Sequence, residues 1–362
     1  MKQECLLCER SSPDNNLYCQ ETYCPAEMSP TILDYGDWLG NIEIIRPLSV
    51  LRSSVLYEAQ CQTKKVFLKV AHPGARNSER LKREAQFLKD LRLDKTANKY
   101  FPVWLSPYSN SNDTDAYGKV VLKGQLLYYF QCEHFAGEPL RAILAKSPQL
   151  WVYHIGWTMI GLATAVTILQ SKGLFSFGLS PDAVLLQFDN NSGPPAILLI
   201  DMGVITDAQG LALEEKTGSS DWDCSFVHPA YTAPELIDAV ATEPNYSTDV
   251  YGLGIILYEM LVGQPVFPFK LRGDAEVKEA VRQDRRVSMT RIKDVAAVAQ
   301  IAETAAARTP SLRYRDAHEM LKKLHEVFGR VPEKKRPIRP IMIVVAAGTL
   351  LSIVLLIAVV GQ

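Results

Sequence analysis

Residues 247–267 read STDVYGLGIILYEMLVGQPVF, with Asp249 near the start of the run. The stretch lies inside a long region of helical patterns that extends from Gly137 to Phe328. A strand-like pair, AVLLQF (183–188) and AILLID (196–201), interrupts that region. Ala233-Pro234-Glu235 precedes the stretch and is itself preceded by HPAYT (228–232), while TPSLRYRDAHEML (309–321) lies C-terminal to it and carries Arg313. Toward the N-terminus the text changes character. IEIIRPL (42–48), SVLYEAQ (54–60) and KKVFLKVA (64–71) are rich in β-branched and aromatic residues and read as strands, as do residues 119–131. Between them SERLKREAQFLKDLR (78–92) reads as a helix with Ser78 as N-cap and Leu81, Ala85 and Leu88 as its apolar stripe. The order is a small sheet-rich lobe (about 41–135) followed by a larger helical lobe (about 136–329), an α+β arrangement.

The composition allows this. The chain has 362 residues and 47% apolar content, enough for one two-lobed domain with small attachments. A formal net charge of −1 gives no reason to invoke nucleic acid. Four of the seven cysteines, Cys5, Cys8, Cys19 and Cys24, fall in residues 1–30. MKQECLLCERSSPDNN has no apolar core and is not a secretory signal. A reducing compartment then favours metal over disulfides. Two close pairs, C-x2-C and C-x4-C, can give four thiolates to one structural, zinc-ribbon-like zinc site, although the second spacing is wider than usual. The alternative is four reduced thiols. Residues 31–40, TILDYGDWLG, read as a linker.

Residues 341–360, IMIVVAAGTLLSIVLLIAVV, are uncharged, and at 1.5 Å per residue span roughly 30 Å, a bilayer core. Insertion of their Ile, Leu and Val residues is favoured by roughly 4–8 kcal/mol. The alternative is a buried core helix. The basic residues Arg330, Lys334, Lys335, Arg336 and Arg339 precede the run within residues 330–340. Basic flanks mark the cytoplasmic side. The expectation is a single-pass, C-terminally anchored protein with its folded part in the cytoplasm.

The motifs of residues 41–329 resemble the protein kinase family, most like bacterial Ser/Thr kinases. Val66-Phe67-Leu68-Lys69 resembles V-A-I-K, and Glu84 stands where the family pairs a helical Glu with that Lys. Asp201-Met202-Gly203 resembles D-F-G, Ala233-Pro234-Glu235 matches A-P-E, and Arg313 stands where the family keeps the partner of that Glu. FQCEHFAGEPL (130–140) implies Cys132 as gatekeeper and Glu133 to Phe135 as hinge. The resemblance implies ATP and magnesium at Lys69, Glu84, Asp201, Glu133 and Phe135.

The departures are concentrated at the chemistry. The family's three loop glycines align with Ser49, Leu51 and Ser54, and Leu51 brings an apolar side chain to the phosphate position. Phe67 shares a strand face with Lys69 and replaces the Ala that packs on adenine. In FSFGLSPDAVLL (175–186), Gly178 replaces the base Asp, Ser180 the Lys, Ala183 the metal-binding Asn and Phe177 the Arg that reads a loop phosphate. A positioned base contributes typically 10²–10⁴-fold. The neighbouring Asp182 is expected to face outward. These losses imply a pseudokinase, a membrane-anchored scaffold or regulator for a protein partner such as an active kinase. The alternatives are an atypical Ser/Thr kinase using Lys69, Glu84 and Asp201 with another base, and a nucleotide sensor that does not hydrolyse. Retention of those three residues argues for nucleotide or metal contact; Phe67, Leu51 and Ala183 argue against it.

Overall fold

A computed structural model describes residues 2–329 except 7, 9, 13–18, 20–23, 25–29, 109–114, 189–192, 203, 208–225, 238–243, 271 and 290–294. The basic segment 330–340 and the apolar run 341–360 lie outside the described residues.

The N-terminal lobe is built on strands β4 (Trp38–Leu39), β5 (Ile42–Val50), β6 (Ser54–Cys61), β7 (Lys64–Ala71), β8 (Trp104–Leu105), β9 (Gly118–Leu122) and β10 (Gln125–Glu133). They form one sheet in the order β4-β5-β6-β7-β10-β8, with β9 also paired to β10. Side-chain alternation divides β7 cleanly. Val66, Leu68 and Val70 enter a core with Ile42, Ile44, Val55, Tyr57, Ala59 and Leu127, while Phe67 and Lys69 point to the opposite face. Helix α1 (Ala75–Leu91) covers that face and buries Leu81, Glu84, Ala85 and Leu88.

Two expectations are corrected by this lobe. Helix α1 starts three residues before Ser78, after Gly74 at φ 122°, and the Ser78 hydroxyl donates back to Ala75 O within the first turn. Residues 31–40 are not a linker. Thr31–Ile32 is a strand, β3, paired to β1 (Lys2–Glu4), which also pairs with β2 (Ser11–Ser12). Ile32, Leu33 and Leu39 are buried in the N-lobe core. Each such burial is worth roughly 1.5–3 kcal/mol. The Leu33 amide donates to Tyr57 Oη at 3.0 Å, which fixes the segment to β6.

The C-terminal lobe contains α2 (Leu140–Lys146), α3 (Val152–Ser171), α4 (Pro234–Ile237), α5 (Tyr246–Val262), α6 (Asp274–Arg282), α7 (Ala296–Ala305) and α8 (Ala317–Phe328). The expected strand pair is β11 (Val184–Gln187) with β12 (Ala196–Leu199), in register Val184 to Leu199. Helix α5 takes up most of the run 247–267. It is apolar all round because it is buried all round. Asn245 caps it, accepting from Ser247 N at 2.8 Å while its own amide donates to Thr248 Oγ1. Gly254 lets α7 approach: a Cβ there would lie 2.5 Å from Ala306 N. Among the described residues one helix, α3, is long and apolar enough to cross a membrane, and it packs against α8 and α5 inside this lobe. The Arg313 guanidinium meets Glu235 in two bonds of 2.6 and 2.8 Å, fully buried, as the resemblance implied.

Candidate nucleotide cleft

Lys69 is saturated. Its ammonium donates to Glu84 Oε1 and Oε2 at 2.8 and 2.7 Å, to Ile200 O at 3.0 Å and to Asp201 Oδ1 at 3.0 Å. The expected Lys69–Glu84 pair and Asp201 therefore converge, at 1%, 2% and 7% exposure. One buried cation is shared by two carboxylates. Burial pushes the Glu84 carboxyl up to about 7, against the pull of Lys69 and with a further push from Asp201. Burial disfavours the Lys69 cation, but Asp201 and Glu84 outweigh it and raise its pKa. Glu84 Oε1 also accepts the Met202 amide, so α1 is tied directly to the segment after Asp201.

The turn between β5 and β6 is closed onto the C-lobe. Ser49 Oγ donates to Asp182 O at 2.8 Å. Arg52 makes a two-point ion pair with Asp274 at the start of α6, at 2.5 and 3.0 Å. Leu51 is buried, and its carbonyl accepts from His72 Nε2 at 2.8 Å. Two of the positions that carry glycine in the family, Ser49 and Leu51, thus hold side chains that bridge or line the gap.

Beneath the loop that carries Gly178, the buried Asp249 of α5 accepts the amides of Ser176 and Phe177 at 3.1 and 2.9 Å and a third bond from Gln170. This holds Phe177 at φ 38°, unusual for a residue with a side chain. Phe175 and Phe177 stack at 5.3 Å with planes 8° apart, an apolar contact in place of an Arg. Gly178 is boxed in: a Cβ there would collide with Val204 Cγ2. Ser180 and Ala183 are buried and offer neither a cation nor a carboxamide.

Asp182 does not face outward as expected. Its carboxylate lines the cleft and is held by Arg141 Nη2 at 3.0 Å. Arg141 also reaches Glu259 at 2.7 Å and Tyr231 Oη at 2.7 Å, and lies over the Tyr231 and Phe269 rings. Tyr231 Oη in turn donates to Glu259. Sequence reasoning missed this cluster. Its hydrogen-bonded members are 41 to 118 residues from Arg141, with no local pattern to join them.

At the hinge, Cys132 pairs with Phe67 across β10 and β7, and burial holds its thiol well above the usual range. Phe67 is 2% exposed and its ring lies 5.2 Å from that of His134. His134 contacts Glu58, which also binds Arg46 and Lys65. These two cations overcome the effect of burial and hold Glu58 down at about 2. Glu133 is exposed and Phe135 half-buried.

The N-terminal cysteines come together as expected. The Sγ atoms of Cys5, Cys8, Cys19 and Cys24 all lie within 4.8 Å of one another, with Cys5–Cys24 at 3.6 Å and Cys8–Cys19 at 3.4 Å. A tetrahedron with Zn–S bonds of about 2.3 Å has edges near ~3.8 Å, so the set fits a four-thiolate metal. The head also reaches the cleft. Glu4, Cys5 and Leu6 line one cavity with Leu51, Arg52, Gly178, Asp182 and Asp201. That cavity is about 70 Å³. Ligand pockets run roughly 300–1,000 Å³, so this cavity, at the phosphate end of the cleft, is narrow.

The model of the protein kinase domain family matches residues 59–337. Human serine/threonine-protein kinase ULK3 is 30% identical over 131 residues, 35% of this chain and 24% of that protein. Serine/threonine-protein kinase RUNKEL of Arabidopsis thaliana is 28% identical over 155 residues, 42% of this chain and 10% of that protein. The matched stretch thus spans a quarter or less of these relatives. A crystal structure of the Mycobacterium tuberculosis PknI kinase domain, a double mutant, superposes with a TM-score of 0.53 at 17% identity, covering 83% of this chain and 100% of that chain. The two-lobed fold, the Lys69–Glu84 and Arg313–Glu235 pairs and the family match agree: the chain belongs to the protein kinase family.

Proposed function

We propose that this protein is a pseudokinase, a kinase-fold domain that transfers no phosphate and works by binding a protein partner at the cytoplasmic face of a membrane. The observation that carries the reading is the state of the cleft. Lys69 spends its donors on Glu84, Asp201 and Ile200 O, and Ser49 and Arg52 pin the loop across a cavity of about 70 Å³. Gly178, Ser180 and Ala183 leave no base, no phosphate-side cation and no second metal ligand. Asp182, the carboxylate nearest in sequence to Gly178, is occupied by Arg141. In this reading Cys5, Cys8, Cys19 and Cys24 hold a structural zinc, and residues 341–360 anchor the chain.

The intact Lys69–Glu84–Asp201 constellation favours a second reading, an atypical Ser/Thr kinase or a nucleotide sensor whose cleft opens. Thermal-shift titration of the full chain in detergent with ATP, with and without magnesium or manganese, separates them. A ligand present at a hundred times its Kd stabilises by about 2.7 kcal/mol, so the expected absence of a shift is readable. A metal-dependent rise would favour the second reading.

A further inference from the structure

The C-lobe carries an aromatic face that the cleft does not use. Trp151 precedes α3 and is 51% exposed; Tyr153, in its first turn, is 45% exposed. Their rings lie 4.9 Å apart, and Trp157, one turn on, lies 6.1 and 5.9 Å from them. His154 joins Trp151 to Phe188 at 5.0 and 4.9 Å. Tyr153 also meets Phe328 at 6.1 Å, the last residue of α8. Gly156 permits this: a Cβ there would sit 2.5 Å from the Phe328 ring. The face therefore borders Phe328, next to the point where the chain leaves the lobe at Gly329.

The sequence C-terminal to Gly329 identifies the occupant. Residues 330–340 carry Arg330, Lys334, Lys335, Arg336 and Arg339 against Glu333, and residues 341–360 are uncharged. The twelve steps from Gly329 to Ile341 reach at most about 40 Å even fully extended. If residues 341–360 span a bilayer, the Phe328 end of the lobe stays within that distance of it. Trp and Tyr, apolar rings with polar edges, concentrate at the membrane–water interface, and basic segments are drawn to anionic headgroups.

We propose that Trp151 and Tyr153, backed by the half-buried Trp157, form a membrane-interface contact that seats the C-lobe on an anionic bilayer beside the anchor. The inference rests on the reading of residues 341–360 as an anchor and goes beyond it, since a tether alone needs no aromatic face.

The full chain, reconstituted in vesicles of phosphatidylcholine and phosphatidylglycerol, tests it. The chain has five Trp residues and none in 341–360. Lipids brominated high on their acyl chains should quench part of the Trp emission. Trp151→Phe should reduce the quenched part at least twofold, and Trp38→Phe, which alters an exposed residue of the N-lobe sheet, should not. Quenching that Trp151→Phe and Trp157→Phe leave unchanged, or no quenching in vesicles that float with the protein after carbonate washing, overturns the seating and spares the anchor. Protein that does not float overturns both. Unquenched emission that shifts blue as the protein-to-lipid ratio rises assigns the face to a second copy and overturns the proposal.

Discussion

Ser49 Oγ donates a 2.8 Å hydrogen bond to the backbone carbonyl of Asp182, joining the end of β5 to the loop that carries Gly178, Ser180 and Ala183. The position that the family fills with a glycine to admit phosphate is here a side chain that closes the two lobes on each other. Arg52 reinforces the closure through Asp274.

Removing the clamp should loosen the turn without unfolding the lobe. Arg52 and Asp274 are partly exposed, at 16% and 33%. The pair is therefore worth at most about 1 kcal/mol even with two-point geometry. Arg52→Ala should lower the urea midpoint slightly and raise amide hydrogen exchange at residues 50–54. Unchanged exchange there would show that the turn is held by other contacts.

Restoring the missing base should fail for a steric reason as well as a chemical one. A Cβ at residue 178 runs into Val204, so Gly178→Asp must displace that side chain. Overpacking of this kind costs typically 1–3 kcal/mol. Gly178→Asp should melt below the parent and transfer no phosphate from radiolabelled ATP, even combined with Ala183→Asn. A double variant that phosphorylates a general acceptor would show that the closed loop opens readily.

Stability should fall as pH rises through the Glu84 transition. Burial raises the folded carboxyl from 4.5 to about 7, so the folded state holds the proton more tightly than the unfolded one. The associated stabilisation is complete below about 4.5, the unfolded value, and is lost as pH rises to about 7. Asp249, raised from 3.8 to about 6 by burial, adds a loss of the same sign over a lower window. Glu84→Gln should flatten the curve between pH 4.5 and 7 in urea titrations, compared with the parent. A variant curve that runs parallel to the parent would mean that Glu84 ionises normally.

The head should retain one metal through four thiolates. Elemental analysis after reducing purification should find one zinc per chain. Cys24→Ala should lose most of it, because three thiolates leave the tetrahedron open. Cys5 lines the cleft with Leu51 and Gly178. Chelation should therefore also raise hydrogen exchange at residues 50–54. Purified protein without zinc would leave the four cysteines as reduced thiols.

The fold was legible because its strongest signals are local strings. Ala233-Pro234-Glu235, the run 247–267 and Arg313 each identify themselves in sequence, and the structure joins them through the Arg313–Glu235 pair. Lys69, Glu84 and Asp201 were legible for the same reason. The errors have physical causes. Ser78 resembles a cap, yet α1 begins after Gly74, whose positive φ allows the turn without any side-chain cap. TILDYGDWLG resembles a linker because its apolar residues keep no regular period, although Ile32, Leu33 and Leu39 are all core. Asp182 was expected to face outward because the resemblance puts a variable, outward-facing residue there, and its partner Arg141, 41 residues away on the helix after the hinge, leaves no local signal.

Phosphotransfer itself tests the central claim most directly. The full chain and Lys69→Ala, purified side by side in detergent, are incubated with radiolabelled ATP, magnesium or manganese, and a general protein acceptor. The account predicts that the two give the same background, because the parent has no base at Gly178, no metal ligand at Ala183 and a phosphate loop pinned to the C-lobe by Ser49 and Arg52. Label incorporated by the parent and lost in Lys69→Ala would contradict it and establish an atypical kinase.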